Sequence, residues 1–369
     1  MLKLRTVYVT LLFVIFTTTG CAPSLHRNRT RAGDWQSGET VQKAEPTPPA
    51  PAVTASNLPV APSIVSTVAI TETWMPLMRW CEASGLAAPS LLSVTPVPTY
   101  ALHTSYGDFS FRAGSHVAHW NGTELRLGFA PLWIDRQPYL HGLDLKKTLW
   151  PLLTEGPHLG SNSFPVIVLD PGHGGEDSGA RSVIELSWEK QFTLDWARRL
   201  QSLLITNGWQ VFLTRTGDHE MTLSNRVSFA AEHHADVFLS LHFNSAGTNQ
   251  TQAGLETYCL TPTGMPSTIT RGYVDDTEVE FPNNAFDAQN LQLALRLHRT
   301  LLEVNGISDR GVRRARFLGV LRGQQRPAIL IEGGYLSNPR EARLIAQAEY
   351  RQKLAQAIAL ALATNWLKN

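Results

Sequence analysis

From Phe164 onward, short apolar runs alternate with longer stretches whose apolar residues recur every three or four positions, and this alternation constrains the fold more than any other feature. The strand-like runs are PVIVLD, WQVFLTR, DVFLSLHF, LETYCL, FLGVLR and PAILIEG. Helices are predicted at about 187–206, 222–234, 286–305, 339–347 and 349–367. The pattern predicts an α/β fold, a mixed, mostly parallel sheet with helices on both faces. In such sheets a site lies beyond the carboxyl ends of the strands. Residues at strand termini are therefore the first candidates for chemistry.

The chain before this region is organised differently. Residues 1–20 carry Lys3 and Arg5, then an apolar run, then small residues ending before Cys21, the layout of an export signal. The arrangement resembles a bacterial lipoprotein signal, with Cys21 as the lipidated first mature residue, although Thr18 stands where that signal usually has Leu. It predicts an exported envelope protein of the periplasm, held to a membrane through the lipid on Cys21. Residues 21–68 include EPTPPAPAVTASNLPVAPS and read as a disordered Pro-rich tether. Residues 69–155 read as a small, mostly β accessory domain with one short helix, followed by strand-like runs; Asn121-Gly122 signals a tight hairpin. This part loosely resembles the stalk domain of copper amine oxidases. A second linker, TEGPHLGSNS, leads into a catalytic domain at 163–369.

Lys+Arg of 32 against Asp+Glu of 31 leaves no global field to recruit nucleic acid, so recognition must be local. In an oxidising compartment Cys81 and Cys259 could pair. The helical spacing of Trp74, Leu77, Met78 and Cys81 points instead to buried thiols. His103, His116, His119 and His141 fall on separate elements and read as ordinary surface or core histidines.

Three residues in the α/β region carry metal chemistry. His173 sits in the turn DPGHGG after the first strand, His242 ends DVFLSLHF, and Glu189 lies near the start of the helix that Ser187 is predicted to cap. Two imidazoles and a carboxylate form a three-donor zinc set with an open fourth position, and zinc brings the pKa of a bound water to about 7. Glu332, at the end of PAILIEG, is the candidate base that takes the water's proton and gives it to the leaving amine. Glu185 competes with Glu189 on spacing alone.

The segments VIVLDPGHGGEDSGA, WEK, TRTGDHEMTLSNRVSFAAEHHADVFLSLHFNS, GLETYCL, DRGVRRARFLGVL and RPAILIEGGYLSN, in this order, closely resemble the zinc-dependent N-acetylmuramoyl-L-alanine amidases. The resemblance covers about 165–369 and selects Glu189 over Glu185, because Glu-Lys opening the helix is the family pattern. It implies Zn2+ held by His173, Glu189 and His242, with Glu332 catalytic. The implied reaction is hydrolysis of the amide between the lactyl group of N-acetylmuramic acid and L-alanine, so the partner is peptidoglycan, with an activator protein as a further partner. Two other readings are a zinc carboxypeptidase-like peptidase and a catalytically silent wall-binding lipoprotein. Arg215, Asp218 and Arg226 match family positions and read as an ion-pair brace. Arg313, Arg314 and Arg316 read as a solvated basic run beside the groove. The long segment TPTGMPSTITRGYVDDTEVEFPNNAFD reads as a groove wall or lid.

Overall fold

The computed structural model describes residues 73–154, 165–269 and 274–363; the predicted signal, the tether and the second linker beyond Thr154 fall outside that range. The first part begins with β1 (Trp74–Pro76) and α1 (Leu77–Ala83), then a meander of β2 (Ser90–Ser93), β3 (Thr99–His103), β4 (Asp108–Arg112), β5 (Val117–Trp120) and β6 (Thr123–Arg126). A hairpin of β7 (Leu132–Ile134) and β8 (Gln137–His141) follows, then α2 (Gly142–Asp144), a π-helical turn and α3 (Trp150–Leu152). Asn121 and Gly122 both have positive φ, 50° and 81°, and Trp120 pairs with Thr123 across them. That is the mirror-image turn whose twist matches the flanking strands.

The second part runs β9 (Val166–Pro171), α4 (Glu189–Thr206), β10 (Gln210–Leu213), α5 (Leu223–Glu232), β11 (Val237–Asn244), β12 (Leu255–Cys259), a 3-10 turn, α6 (Asp287–Asn305), β13 (Asp309–Arg314), α7 (Gly319–Arg322), β14 (Ala328–Tyr335), α8 (Pro339–Ala346) and α9 (Ala348–Ala363). β10, β9, β11 and β14 are parallel neighbours, and β12 lies antiparallel to β14 and parallel to β13. The sheet does not stop there. β13 pairs in parallel with β6 through Val312 and Leu125, so β6 to β2 continue it into one sheet of 11 strands.

Alternate strand residues divide between two cores, as the period-2 geometry of a strand requires. Ile167, Leu169, Leu239 and Ile331 cluster with Trp196 and Leu200 of α4, Leu297 of α6 and Ile358 of α9. Val166, Val168, Phe238 and Leu330 cluster with Ala230 of α5 and Leu321 of α7. Burying each large aliphatic or aromatic side chain contributes about 1.5–3 kcal/mol.

Two sequence expectations are corrected. FLGVLR is not a strand: Leu318, Val320 and Leu321 fill the second core from a single helical turn, and the strand lies earlier, at Asp309–Arg314. Ser187 does not cap α4. Its carbonyl accepts the Ser182 N–H (3.0 Å) while Arg181 and Trp188 bridge antiparallel, which delays the helix to Glu189; Gln191 Oε1 then accepts the Trp188 N–H (3.0 Å). Cys81 and Cys259 are free and buried, and burial pushes the Cys81 thiol up to about 11. No helix among the described residues is long and apolar enough to cross a membrane.

Candidate metal centre

β9 ends buried at Pro171, and the chain turns at once through Gly172 into His173, whose φ is +63°. A non-glycine residue in the left-handed region costs roughly 1–2 kcal/mol, so the surroundings must hold it. Two buried guanidiniums do so. Arg215 donates to the carbonyls of Pro171 (2.9 Å) and Gly172 (2.8 Å), and Arg226 donates to those of Pro171 (3.1 Å) and His173 (2.9 Å). Three successive carbonyls are thus fixed. Asp170 balances the charge: it accepts from Arg226 Nη1 (2.6 Å), Thr214 Oγ1 (2.6 Å) and Ser240 Oγ (2.8 Å). Burial, the largest single effect, would raise the Asp170 carboxyl, but Arg226 together with the Thr214 and Ser240 hydroxyls outweighs it and holds the group below the usual carboxylate range. Burial and the neighbouring Arg226 push Arg215 down to about 10. Arg215 and Arg226 are thus a brace, but not the ion-pair network expected with Asp218: Arg226 pairs with Asp170, Asp218 pairs with Lys190, and what the two arginines hold is the turn that carries His173.

Glu189 is the first residue of α4 and reaches under the sheet edge. Its Oε2 lies 3.0 Å from His173 Nε2 and its Oε1 lies 2.9 Å from His242 Nδ1. The backbone N–H groups of Ala180 (2.9 Å) and Phe243 (3.0 Å) donate to the same two oxygens. His173, Glu189 and His242 are all buried, and their donor atoms lie within 4.8 Å of one another. Glu185 is exposed and takes no part.

The packing here leaves no room for a Cβ at two positions. At Gly172 it would lie 2.2 Å from His242 Cε1; at Gly179 (φ +67°) it would lie 2.6 Å from His173 Cδ2 and 2.7 Å from Glu189 Oε2.

Burial on its own would lower the His173 pKa, yet the carboxylates of Glu189 and Asp177 push it up to about 10. Burial raises Glu189 in turn, and the two imidazoles overcome this and hold it well below the usual range. This is a buried cluster arranged for positive charge. Two ring nitrogens and a carboxylate at this spacing fit a borderline dication such as zinc.

Glu332 is on β14, in register with His242 of β11, and is partly exposed. Register partners in neighbouring strands project to the same face, so Glu332 stands one strand away from the metal donors. On its other side β12 places Glu256 opposite it. Glu256 is buried and engaged by Arg310 (2.7 Å), Asn244 (2.7 Å), Tyr258 (2.8 Å) and Tyr335 (2.9 Å). Sequence reasoning missed Glu256, and its only signal was a glutamate inside an otherwise strand-like run. It also left Asp177 without a role, although Asp177 touches His173.

The three arginines after Gly311 are corrected: Arg313, Arg314 and Arg316 are buried rather than solvated. Arg314 donates to Thr148 Oγ1 and the Lys147 carbonyl (both 2.7 Å), and Arg316 holds the carbonyls of Pro262 (3.0 Å) and Thr277 (2.9 Å) in the long segment after β12. Arg313 Nη2 lies 3.5 Å from Glu256 Oε1, so all three guanidiniums are engaged within the protein itself.

The family profile described as N-acetylmuramoyl-L-alanine amidase matches residues 167–364. The chain belongs to that family. Amidase AmiA of Escherichia coli strain K12 is 33% identical over 216 residues, which is 53% of this chain and 73% of the relative. Amidase AmiC of Neisseria meningitidis serogroup B is 35% identical over 233 residues, 56% of this chain and 54% of the relative. The catalytic domain of the amidase CwlV from Bacillus (Paenibacillus) polymyxa var. colistinus is 32% identical, covers 54% of this chain and 96% of that domain, and superposes with a TM-score of 0.44. The profile match covers every residue of this amidase named above as a metal donor, together with Glu332.

Proposed function

We propose that this amidase hydrolyses the bond between the lactyl group of N-acetylmuramic acid and L-alanine in peptidoglycan, with zinc on His173, Glu189 and His242 and with Glu332 as base and acid. The observation that carries the reading is the approach of three buried donors within 4.8 Å, one strand away from a partly exposed carboxylate. Zinc held there supplies Lewis acidity to the carbonyl and acidity to a water. Glu332 takes the proton of the attacking water as the new C–O bond forms, then returns it to the nitrogen of L-alanine as the C–N bond breaks. Arg215 and Arg226 hold the His173 turn in place throughout, so the donors need no reorganisation.

Export, a lipid on Cys21, an activator, and the division into tether, accessory domain and catalytic domain belong to the same proposal. A fixed cation for a terminal carboxylate would favour the peptidase reading; Arg313, Arg314 and Arg316 are engaged elsewhere. The test is release of stem peptides from purified peptidoglycan by the full chain and by Glu332→Ala. New L-alanine amino termini from wild type, reduced about 10²–10⁴-fold in the variant while zinc content stays the same, is the expected outcome. Equal release by both proteins would remove Glu332 from the chemistry.

A further inference from the structure

Asp177 lies four residues after His173, and the loop between them closes on itself. Gly174 N–H donates to the Asp177 carbonyl (2.8 Å), and Gly179 N–H donates to Asp177 Oδ1 (3.2 Å). The loop is tied down at a second point, where Gly175 N–H donates to Asp218 Oδ1 (2.8 Å) and Lys190 Nζ to the Gly175 carbonyl (2.8 Å). These bonds aim the Asp177 carboxylate at His173 Nδ1, 2.8 Å from Oδ1 and 2.9 Å from Oδ2. The opposite ring nitrogen, Nε2, faces Glu189.

We infer that Asp177 is a positioning residue for the metal centre: it accepts a hydrogen bond from His173 Nδ1–H, fixes the tautomer whose free lone pair is on Nε2, and makes that nitrogen a stronger donor. The inference rests on the metal-centre reading above. Backbone and carboxylate divide the work. The left-handed φ of His173 and the two guanidiniums set where the ring starts, and Asp177 sets its rotation about the Cβ–ring bond and which ring nitrogen carries the hydrogen. Asp177 is itself half-exposed and is not one of the three donors, so its removal takes no donor atom from the set. An orienting carboxylate behind a metal-bound imidazole typically accounts for about tenfold to a hundredfold in metal affinity.

The experiment is zinc affinity of the full chain by competition with a chromogenic chelator, for wild type, Asp177→Ala, Asp177→Asn and His173→Ala, with the visible spectrum of the cobalt-loaded forms as a second readout. Asp177→Ala should bind one zinc at saturation but about 10–100-fold more weakly, with an altered cobalt spectrum. Asp177→Asn, which keeps an acceptor and loses the charge, should fall between. An Asp177→Ala affinity within twofold of wild type, while His173→Ala loses the metal, overturns the role of Asp177 and leaves the metal centre standing. Zinc bound equally well by His173→Ala overturns the centre itself. Should Asp177→Ala not fold, Asp177→Asn decides, and an affinity within twofold of wild type ends the proposal.

Discussion

Replacing Arg226 by leucine tests the idea that a buried ion pair holds the His173 turn. The side chain is 5% exposed and its partner Asp170 is 1% exposed, with 2.6 Å between Nη1 and Oδ1. Arg226→Leu leaves Asp170 charged and buried with only Thr214 and Ser240 hydroxyls, and strips one donor each from the Pro171 and His173 carbonyls. Breaking such a pair by removing one partner costs about 3–5 kcal/mol, and that figure already contains the desolvated orphan charge. At roughly 2–4 °C per kcal/mol for a body of this size, a loss of about 4 kcal/mol lowers Tm by about 8–16 °C. Thermal unfolding followed by near-UV circular dichroism measures this directly. The double variant Asp170→Leu/Arg226→Leu should be more stable than the sum of the single changes by at least about 1 kcal/mol, since it removes both charges of the pair together. A Tm shift below about 3 °C for Arg226→Leu, or strict additivity in the double variant, would refute the clasp.

Further outcomes follow from the same geometry. Asp170, Asp309 and Glu256 all have carboxyl groups held below their ordinary values, each against an opposing burial effect, by Arg226, by His298 and by Arg313 with Arg310 respectively. Because their folded pKa values are depressed, their contribution is present above the unfolded value of about 4 and is lost as pH falls through the folded one. Tm should therefore fall on acidification below about pH 4, and less steeply in Asp170→Asn. Gly172→Ala should cost about 1–3 kcal/mol by forcing the His242 ring aside, with loss of hydrolysis exceeding loss of stability; an unchanged kcat would show that the ring has room to move. Treatment with a strong chelator should abolish stem-peptide release and zinc should restore it, whereas a metal-independent activity would survive the chelator.

Much of the site could be read in the sequence because strand ends in an α/β sheet share one edge. His173, His242 and Glu332 each closed an apolar run, and the structure brings His173 and His242 together around Glu189, with Glu332 one strand away. The failures have a common cause: buried polar groups do not announce their partners. β13 was misread because Arg313 and Arg314 point into the protein, where Glu256 and the Thr148 region receive them, so its pattern resembles a solvated surface. Leu318 to Leu321 looked like a strand because a single buried helical turn leaves an unbroken apolar run. Asp177 was visible as one of two acids in GGED, but only the folded loop shows that it turns back onto His173.

The accessory strands were read as a separate domain, and no local pattern could have linked Leu125 to Val312 across the intervening chain. Their joining has a consequence for how the molecule can be divided. Among the described residues, β13 has β12 on one side and β6 on the other. Glu124 N–H donates to Asp309 Oδ2 (2.8 Å), and a Cβ at Gly311 would lie 3.0 Å from Glu124 Cγ. A fragment beginning at residue 165 removes that neighbour and leaves a row of unsatisfied N–H and C=O groups, the surface on which a strand from another molecule adds. The meander is the hem of the sheet, and cutting it off converts a finished fabric into one that can be stitched to its own copies.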